Sequence, residues 1–260
     1  MVQFEWNFPL NREAITISDA THTPDSRSAM SDLVALIPCY NPGPRVRPVV
    51  ESLLKIHPNI IVVDDGSTDG SVEELRDLPV RIVSMTPNRG KGYALIAGYR
   101  AALEDETVRC VASLDADGQH APEELPGLYA AFKEGKGDLL IGSRDFGGGN
   151  VPLRSRFGNV VTVRVMGWLL GKRLPDTQSG YRILSRRFIE AILPHVEGGR
   201  YETEMELLAR AIQGDYVVLS PSIRTIYEEG NQSSHFQKVR DSWRIYKTLM
   251  RAARRRRASR

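Results

Sequence analysis

From residue 33 onward, short apolar runs alternate with longer segments whose apolar positions recur every three or four residues. The runs at 33–37, 60–63, 80–83, 110–114 and 139–141 are too continuously apolar to leave one face wet, so they predict buried parallel strands. Between them, 46–56, 71–75, 92–103 and 122–132 predict helices. This βαβα order predicts an α/β fold: a Rossmann-like, mostly parallel sheet with helices on both faces. Ligands of such sheets bind where the loops at the carboxyl ends of neighbouring strands converge, so the polar residues there are the candidates for chemistry.

The two ends of the chain read differently. Val2, Phe4, Trp6 and Phe8 alternate with Gln3, Glu5 and Asn7, which predicts one edge strand, and a Ser/Thr/Asp-rich stretch follows. Three regions are expected: an appendage and linker over 1–31, one α/β domain over 32–236, and a tail over 237–260. The tail carries ten Lys or Arg against the single acid Asp241, a net +9, which leaves −6 for the rest of a chain whose total is +3. A mildly acidic body argues against nucleic acid as a ligand. In the tail, Phe236, Val239, Trp243, Tyr246 and Met250 form one stripe among basic residues. That pattern describes an amphipathic helix for an anionic membrane face, and equally a helix docked on the domain. The apolar segment 157–170 is likewise open between a lipid groove and a helix packed on the sheet.

Composition narrows the class. At 260 residues with 41% hydrophobic and 26% charged positions, the chain is globular rather than fibrous or low-complexity. Cys39 and Cys110 each sit in an apolar run, so no disulfide framework or zinc cluster is available, and a reducing, cytoplasmic setting is expected. No charge-free apolar run approaches the ~18–20 residues that span a bilayer, and no basic-then-apolar leader opens the chain. The expectation is a protein peripheral on the cytoplasmic face of the membrane.

The strand ends carry the chemistry. Pro38-Cys39-Tyr40-Asn41-Pro42-Gly43-Pro44 is a stiff loop after the first strand. After the second comes Asp64-Asp65-Gly66-Ser67-Thr68-Asp69-Gly70, where helix capping explains one acid and leaves two. These read as solvated turn carboxylates or as acceptors for nucleobase and ribose donors, and the two readings are compatible. Asn88-Arg89-Gly90-Lys91-Gly92 opens a helix with free N–H groups and two cations, a candidate diphosphate contact. It lacks the second glycine and Ser/Thr of the GxxxxGK[ST] loop, and Gly147-Gly148-Gly149 is not GxGxxG. In Asp115-Ala116-Asp117-Gly118-Gln119-His120, the i, i+2 carboxylates point the same way in an extended segment, with Gln119 in the same parity. Such oxygens suit Mg2+ or Mn2+, whose shell substrate phosphate completes.

These segments, with Gly142-Ser143-Arg144 and Asp176-Thr177-Gln178-Ser179-Gly180-Tyr181-Arg182, resemble in order and spacing a family 2 glycosyltransferase of the GT-A fold, closest to the dolichol-phosphate or polyprenyl-phosphate sugar synthase branch. The resemblance implies a nucleotide site at Pro38, Tyr40, Asn41, Asp64, Asp65, Lys91 and Asp115, and a divalent ion on Asp115, Asp117 and Gln119. It implies a catalytic set of Asp117, Arg144, Gln178 and Glu204. Arg154, Arg156, Ser179, Gly180, Arg182 and His235 would lie on the acceptor or phosphate side. The implied reaction is inverting transfer from a nucleoside-diphosphate sugar to a lipid-linked acceptor, polyprenyl phosphate.

Two departures bear on that acceptor. Pro42 replaces the family's usual Glu, and where prenyl-phosphate members carry an Arg and then Ser-Lys, this chain has Tyr227 and Ser234-His235-Phe236. Transfer to a hydroxyl therefore stays open, with Glu202, Glu204 and His235 as base candidates, each with a reading as a solvated, capping or packing residue. A nucleotidyltransferase would also use acidic strand ends, but it needs a Gly-rich loop after the first strand. A non-enzymatic membrane adaptor would leave the Asp115 and Asp117 pair unexplained.

Overall fold

The computed structural model describes residues 30–144, 174–200 and 202–224, with Gly167 and Met250. The expected N-terminal strand, the 157–170 helix or groove and the amphipathic tail lie outside these residues, apart from those two isolated positions. Nine strands are described: β1 Leu33–Cys39, β2 Ile60–Asp64, β3 Arg81–Ser84, β4 Cys110–Ser113, β5 Leu139–Ile141, β6 Ser143–Arg144, β7 Arg182–Ser185, β8 Val218–Leu219 and β9 Ser222–Ile223. The helices are α1 Val46–Ile56, α2 Lys91–Leu103, α3 Leu125–Glu134, α4 Arg186–Ile192 and α5 Glu202–Gln213. Seven strands form one sheet in the order β3-β2-β1-β4-β7-β5-β8, and β6 pairs with β9 in a small second sheet.

Alternation along β1 divides the core in two. Leu33, Ala35 and Ile37 pack with α1 and α3 on one face, while Val34 and Leu36 pack with α2, α4 and α5 on the other. Helix α1 presents Val46, Val49, Val50, Leu53 and Ile56 at spacings of three and four, and each such side chain contributes about 1.5–3 kcal/mol on burial. Helix α2 lies so close to β1 that a Cβ on Gly98 would come 2.2 Å from Leu36 Cδ1. Packing also reaches back to the buried Met30, one turn before β1.

Several expectations are corrected. The 80–83 run is not buried: β3 is the sheet edge, with Arg81 and Ser84 exposed. Residues 71–75 give only a short 3-10 turn, Glu73–Leu75, and another, Pro122–Glu124, precedes α3. Strand β7 is antiparallel and lies between β4 and β5, with Arg182 in register with both Ser113 and Ile141. Only four residues long and opening on a charge, it gave no apolar-run signal. Its direction matters: an antiparallel strand begins where its parallel neighbours end, so residues 178–181 arrive at the carboxyl edge beside Asp115.

Candidate active site

At the ends of β1 and β2 two loops are laced together. Asn41 N–H donates to Ser67 Oγ at 3.0 Å, Thr68 N–H to Asn41 Oδ1 at 2.8 Å, and Gly43 N–H to Asp69 Oδ2 at 2.9 Å. Asn41 and Gly43 take positive φ of 46° and 62°, which turns the chain back for these contacts. Asp64 accepts from Ser67 N–H at 2.8 Å, and Asp69 Oδ1 accepts from the Ser71 hydroxyl at 2.6 Å. Pro38 is buried in β1 opposite Val63, while Tyr40 is 37% exposed at the strand end.

Asp65 fits neither reading of its loop, a solvated turn carboxylate or a direct acceptor for nucleobase and ribose donors. It is 1% exposed and accepts from Asn88 Nδ2 at 2.9 Å, Arg89 N–H at 2.8 Å and Gly90 N–H at 2.7 Å. This also corrects the reading of 88–92 as an open anion cradle. The N–H groups of Arg89 and Gly90 are spent on Asp65, and Gly92 N–H donates to Gly199 O at 2.9 Å. A buried carboxylate from the neighbouring strand end has taken the donors that a helix start normally leaves unmet. Arg89 stacks over the Tyr93 ring, 4.2 Å from its centre.

Lys91 points inward. Its Nζ lies 2.5 Å from Asp115 Oδ1 and 3.2 Å from each Glu204 carboxylate oxygen. Gly180 backs onto the same Asp115 carboxylate, since a Cβ there would be 2.4 Å from Oδ2, and its carbonyl accepts from Ser113 Oγ at 3.1 Å. Asp117 Oδ1 accepts from Gln119 N–H at 3.0 Å, and His120 Nδ1 accepts from Asp115 N–H at 3.3 Å. Burial pushes the Asp115 carboxyl up, but the charges of Lys91, His120 and Arg144 and the Lys91 hydrogen bond together outweigh it and hold the group at about 2. Burial works to lower Lys91, and Asp115 with Glu204 raises it above the ordinary lysine value. Asp117 is raised, by burial and then by the Asp115 charge, and burial keeps His120 below the ordinary histidine value.

This donor set fits a hard divalent cation. Asp115 and Asp117 offer carboxylate oxygens just past one strand end, and burial with the Asp115 charge disfavours the ionised form of Asp117, which a cation would relieve. Among the described residues no group of three His, Cys, Asp or Glu makes a closed metal cage, so an ion here would depend on substrate oxygens and water for most of its shell.

Arg144, at the end of β6, is clamped by Asp176, with Nε 2.6 Å from Oδ2 and Nη2 3.2 Å from Oδ1. Asp176 is fully buried and also accepts from Gln178 N–H at 2.9 Å, which ties Arg144 to the 178–181 loop. The sequence reading gave Asp176 no role; its one signal is a lone acid two residues before Gln178. Two expectations fail. Arg182 is 1% exposed and donates to the carbonyls of Ser179, Glu204 and Thr177, so it braces the fold and cannot meet an acceptor. Ser179 is buried too, its Oγ accepting from Tyr181 N–H at 3.3 Å. Glu204 is 6% exposed, not on a solvated helix face. Arg154, Arg156 and His235 lie outside the described residues.

The mostly parallel α/β sheet, with carboxylates and cations at its carboxyl edge, agrees with the GT-A fold that the sequence resemblance implies. The chain belongs to glycosyl transferase family 2, whose model matches residues 34–193. It is 33% identical over 202 residues to the polyprenol monophosphomannose synthase of Mycolicibacterium smegmatis, covering 73% of this chain and 76% of that one. It is 30% identical over 217 residues to the UDP-N-acetylglucosamine–dolichyl-phosphate N-acetylglucosaminyltransferase of Methanococcus voltae, covering 75% and 85%. The crystal structure of glucosyl-3-phosphoglycerate synthase from Mycobacterium tuberculosis in complex with Mn2+, UDP-glucose and phosphoglyceric acid shares the fold. Its TM-score is 0.67 over 87% of this chain and 81% of that one, at 20% identity. The protein is a glycosyltransferase.

Proposed function

We propose that the protein transfers a sugar, with inversion, from a nucleoside-diphosphate sugar to polyprenyl phosphate at a membrane surface. The observation that carries this is Asp115, two residues past β4, held between Lys91 and Gly180, with Asp117 two residues further on. The activities for which the Mycolicibacterium and Methanococcus relatives are named support the acceptor class. A Mg2+ or Mn2+ ion on Asp115, Asp117 and Gln119 would, when bound, offset the charge of the departing diphosphate. Tyr40, Asn41 and Asp64 are the residues we assign to base and ribose, with Pro38 setting the wall beneath them. Asp65 serves the donor indirectly, by holding the 88–90 segment. Arg144, aimed by Asp176, supplies positive charge to a phosphate, with Gln178 beside it, and Arg154 and Arg156 are assigned to the same task.

One feature favours a phosphate over a hydroxyl acceptor. A phosphate is ionised at neutral pH and needs no base, and Glu204, the best-placed acid, already has both oxygens engaged by Lys91. No helix among the described residues is long and apolar enough to cross a membrane, and we assign attachment at the anionic cytoplasmic face to the basic tail over 237–260.

Thermal shifts with UDP, GDP, dTDP and CDP sugars plus Mn2+ identify the donor, and that donor is then offered to polyprenyl phosphate and to the matching polyprenol. Product on the phosphate alone, abolished by EDTA, is the expected result; product on the alcohol alone overturns the acceptor. Cosedimentation with anionic vesicles should be lost when the chain stops at Gln237, and equal partitioning overturns the membrane role of the tail.

A further inference from the structure

One lysine is shared between two carboxylates that belong to different elements. Lys91 opens α2, Asp115 lies two residues past β4 and Glu204 lies in the first turn of α5. Its ammonium makes the shorter contact to Asp115, 2.5 Å, and lies 3.2 Å from both Glu204 oxygens. Each carboxylate also has a neighbour of its own. Asp115 is backed by Gly180, with no room for even a methyl group between them. Glu204 is held by Arg182, whose Nη1 donates to the Glu204 carbonyl at 2.7 Å and whose Nε lies 3.8 Å from Oε1. Arg182 is itself fixed by the carbonyls of Ser179 and Thr177. The first turns of α2 and α5 are also locked, since a Cβ on Gly92 would collide with Thr203 at 2.0 Å.

The four-carbon lysine stem is the flexible link between them, and its three N–H donors let the ammonium pass from its shorter contact with Asp115 to a closer one with Glu204. An ammonium and a divalent cation on one carboxylate repel each other strongly in a partly buried site. Gly180 closes the space behind Asp115, and Glu204 offers an anionic seat already within reach.

We propose that Glu204, braced by Arg182, is a positioning residue that receives the Lys91 ammonium when a divalent cation takes Asp115. This rests on the ion reading given under the proposed function, and it gives the helical acid a charge-accepting role in place of proton abstraction. Lys91 is then the internal counter-charge of Asp115 in the metal-free protein, and the ion competes with it.

The test is Mn2+ titration of the purified full chain without nucleotide, read by electron paramagnetic resonance of free Mn2+. Glu204→Gln should weaken Mn2+ binding about tenfold, the low end of what losing a supporting group costs a metal site. Lys91→Met should tighten it several-fold, and Glu204→Gln should then have little further effect, because the ion it relieves is gone. Lys91→Gln keeps a donor without the charge and serves if the Met variant does not accumulate. Wild-type protein that takes up no Mn2+, either alone or with UDP, GDP, dTDP or CDP against a protein-free control, overturns the ion reading and the inference with it. Measurable wild-type binding with Glu204→Gln unchanged, with equal weakening in both Lys91 backgrounds, or with Lys91→Met weaker than wild type overturns the positioning role alone.

Discussion

Replacing Gly180 with Ala is the most exacting perturbation of this site, because the added methyl has one place to go and it is filled. Its carbon would lie 2.4 and 2.6 Å from the Asp115 oxygens and 2.7 Å from the carboxyl carbon. Carbon–oxygen approaches normally stop near about 3.3 Å, so one partner must give by roughly 0.9 Å. The backbone is the less free of the two: the Gly180 carbonyl accepts from Ser113 Oγ, and Arg182 is already in the β4 ladder opposite Ser113. Asp115 therefore moves and its 2.5 Å contact with Lys91 is disturbed. A displacement of about 1 Å at a reacting centre can cost roughly 100-fold in rate, about 2.7 kcal/mol of barrier. Overpacking strain of about 2 kcal/mol would lower Tm by roughly 4–8 °C in a chain of this size. The kcat of Gly180→Ala with the identified donor, and Tm by calorimetry, check both numbers. The decisive control is Asp115→Ser, in which the carboxylate is gone and Gly180→Ala should cost almost no further Tm. Wild-type kcat and Tm in the single variant, or an equal Tm loss in both backgrounds, would refute the steric argument.

Three further outcomes follow from the same geometry. Asp117→Asn should nearly abolish turnover while raising Tm slightly, because burial and the Asp115 charge disfavour its ionised form; a retained rate in excess EDTA sinks its role as ion ligand. Asp65→Ala strands the N–H groups of Arg89 and Gly90 at about 1–3 kcal/mol per buried donor, so Tm should fall and donor KM should rise more than kcat drops, and an unchanged KM removes the 88–90 segment from donor binding. His57 is buried, with Nε2 2.8 Å from the Leu33 carbonyl, and burial holds it below its ordinary value of 6.5. The unfolded chain then binds a proton that the folded chain refuses, so stability should fall as pH drops below 6.5, by at most about 1.4 kcal/mol per pH unit, and His57→Gln should flatten that slope in denaturant titrations.

The legible parts of the fold were those that lie within one element. Continuous apolar runs marked β1, β2, β4 and β5, and the three-and-four spacing of Val46, Val49, Val50, Leu53 and Ile56 marked α1 to the residue. Strand β7 escaped because four residues beginning with Arg carry no period, and its place between β4 and β5 is a long-range fact. The same boundary divides the site. The nearness of Asp115 and Asp117 follows from their two-residue spacing, although 116 and 117 form a turn rather than the extended segment expected; the ion pairs around them are long-range, since Lys91 to Glu204 spans 113 positions and Arg144 to Asp176 spans 32. Asp65 shows the cost of judging a residue by its turn alone. Acids at strand ends are usually solvated, but this one faces a neighbouring loop whose N–H groups had been counted as free.

The glycines of the Asn88-Arg89-Gly90-Lys91-Gly92 segment have an explanation in packing that differs from the one their pattern invites. Gly90, at φ 113°, lies where a Cβ would meet Gly199 O at 2.8 Å, and a Cβ on Gly92 would overlap Thr203. Neither position is needed to bring backbone close to a phosphate, because the N–H groups of Gly90 and Gly92 already have partners within the chain. Both are needed to bring α2 against the 199–203 segment, and that approach sets the depth at which Lys91 enters the site. Gly180 does the same from the opposite side for Asp115. Close backbone approach here serves to hold one ammonium between two carboxylates within 3.2 Å, a separation that a single added methyl at any of these positions would disturb.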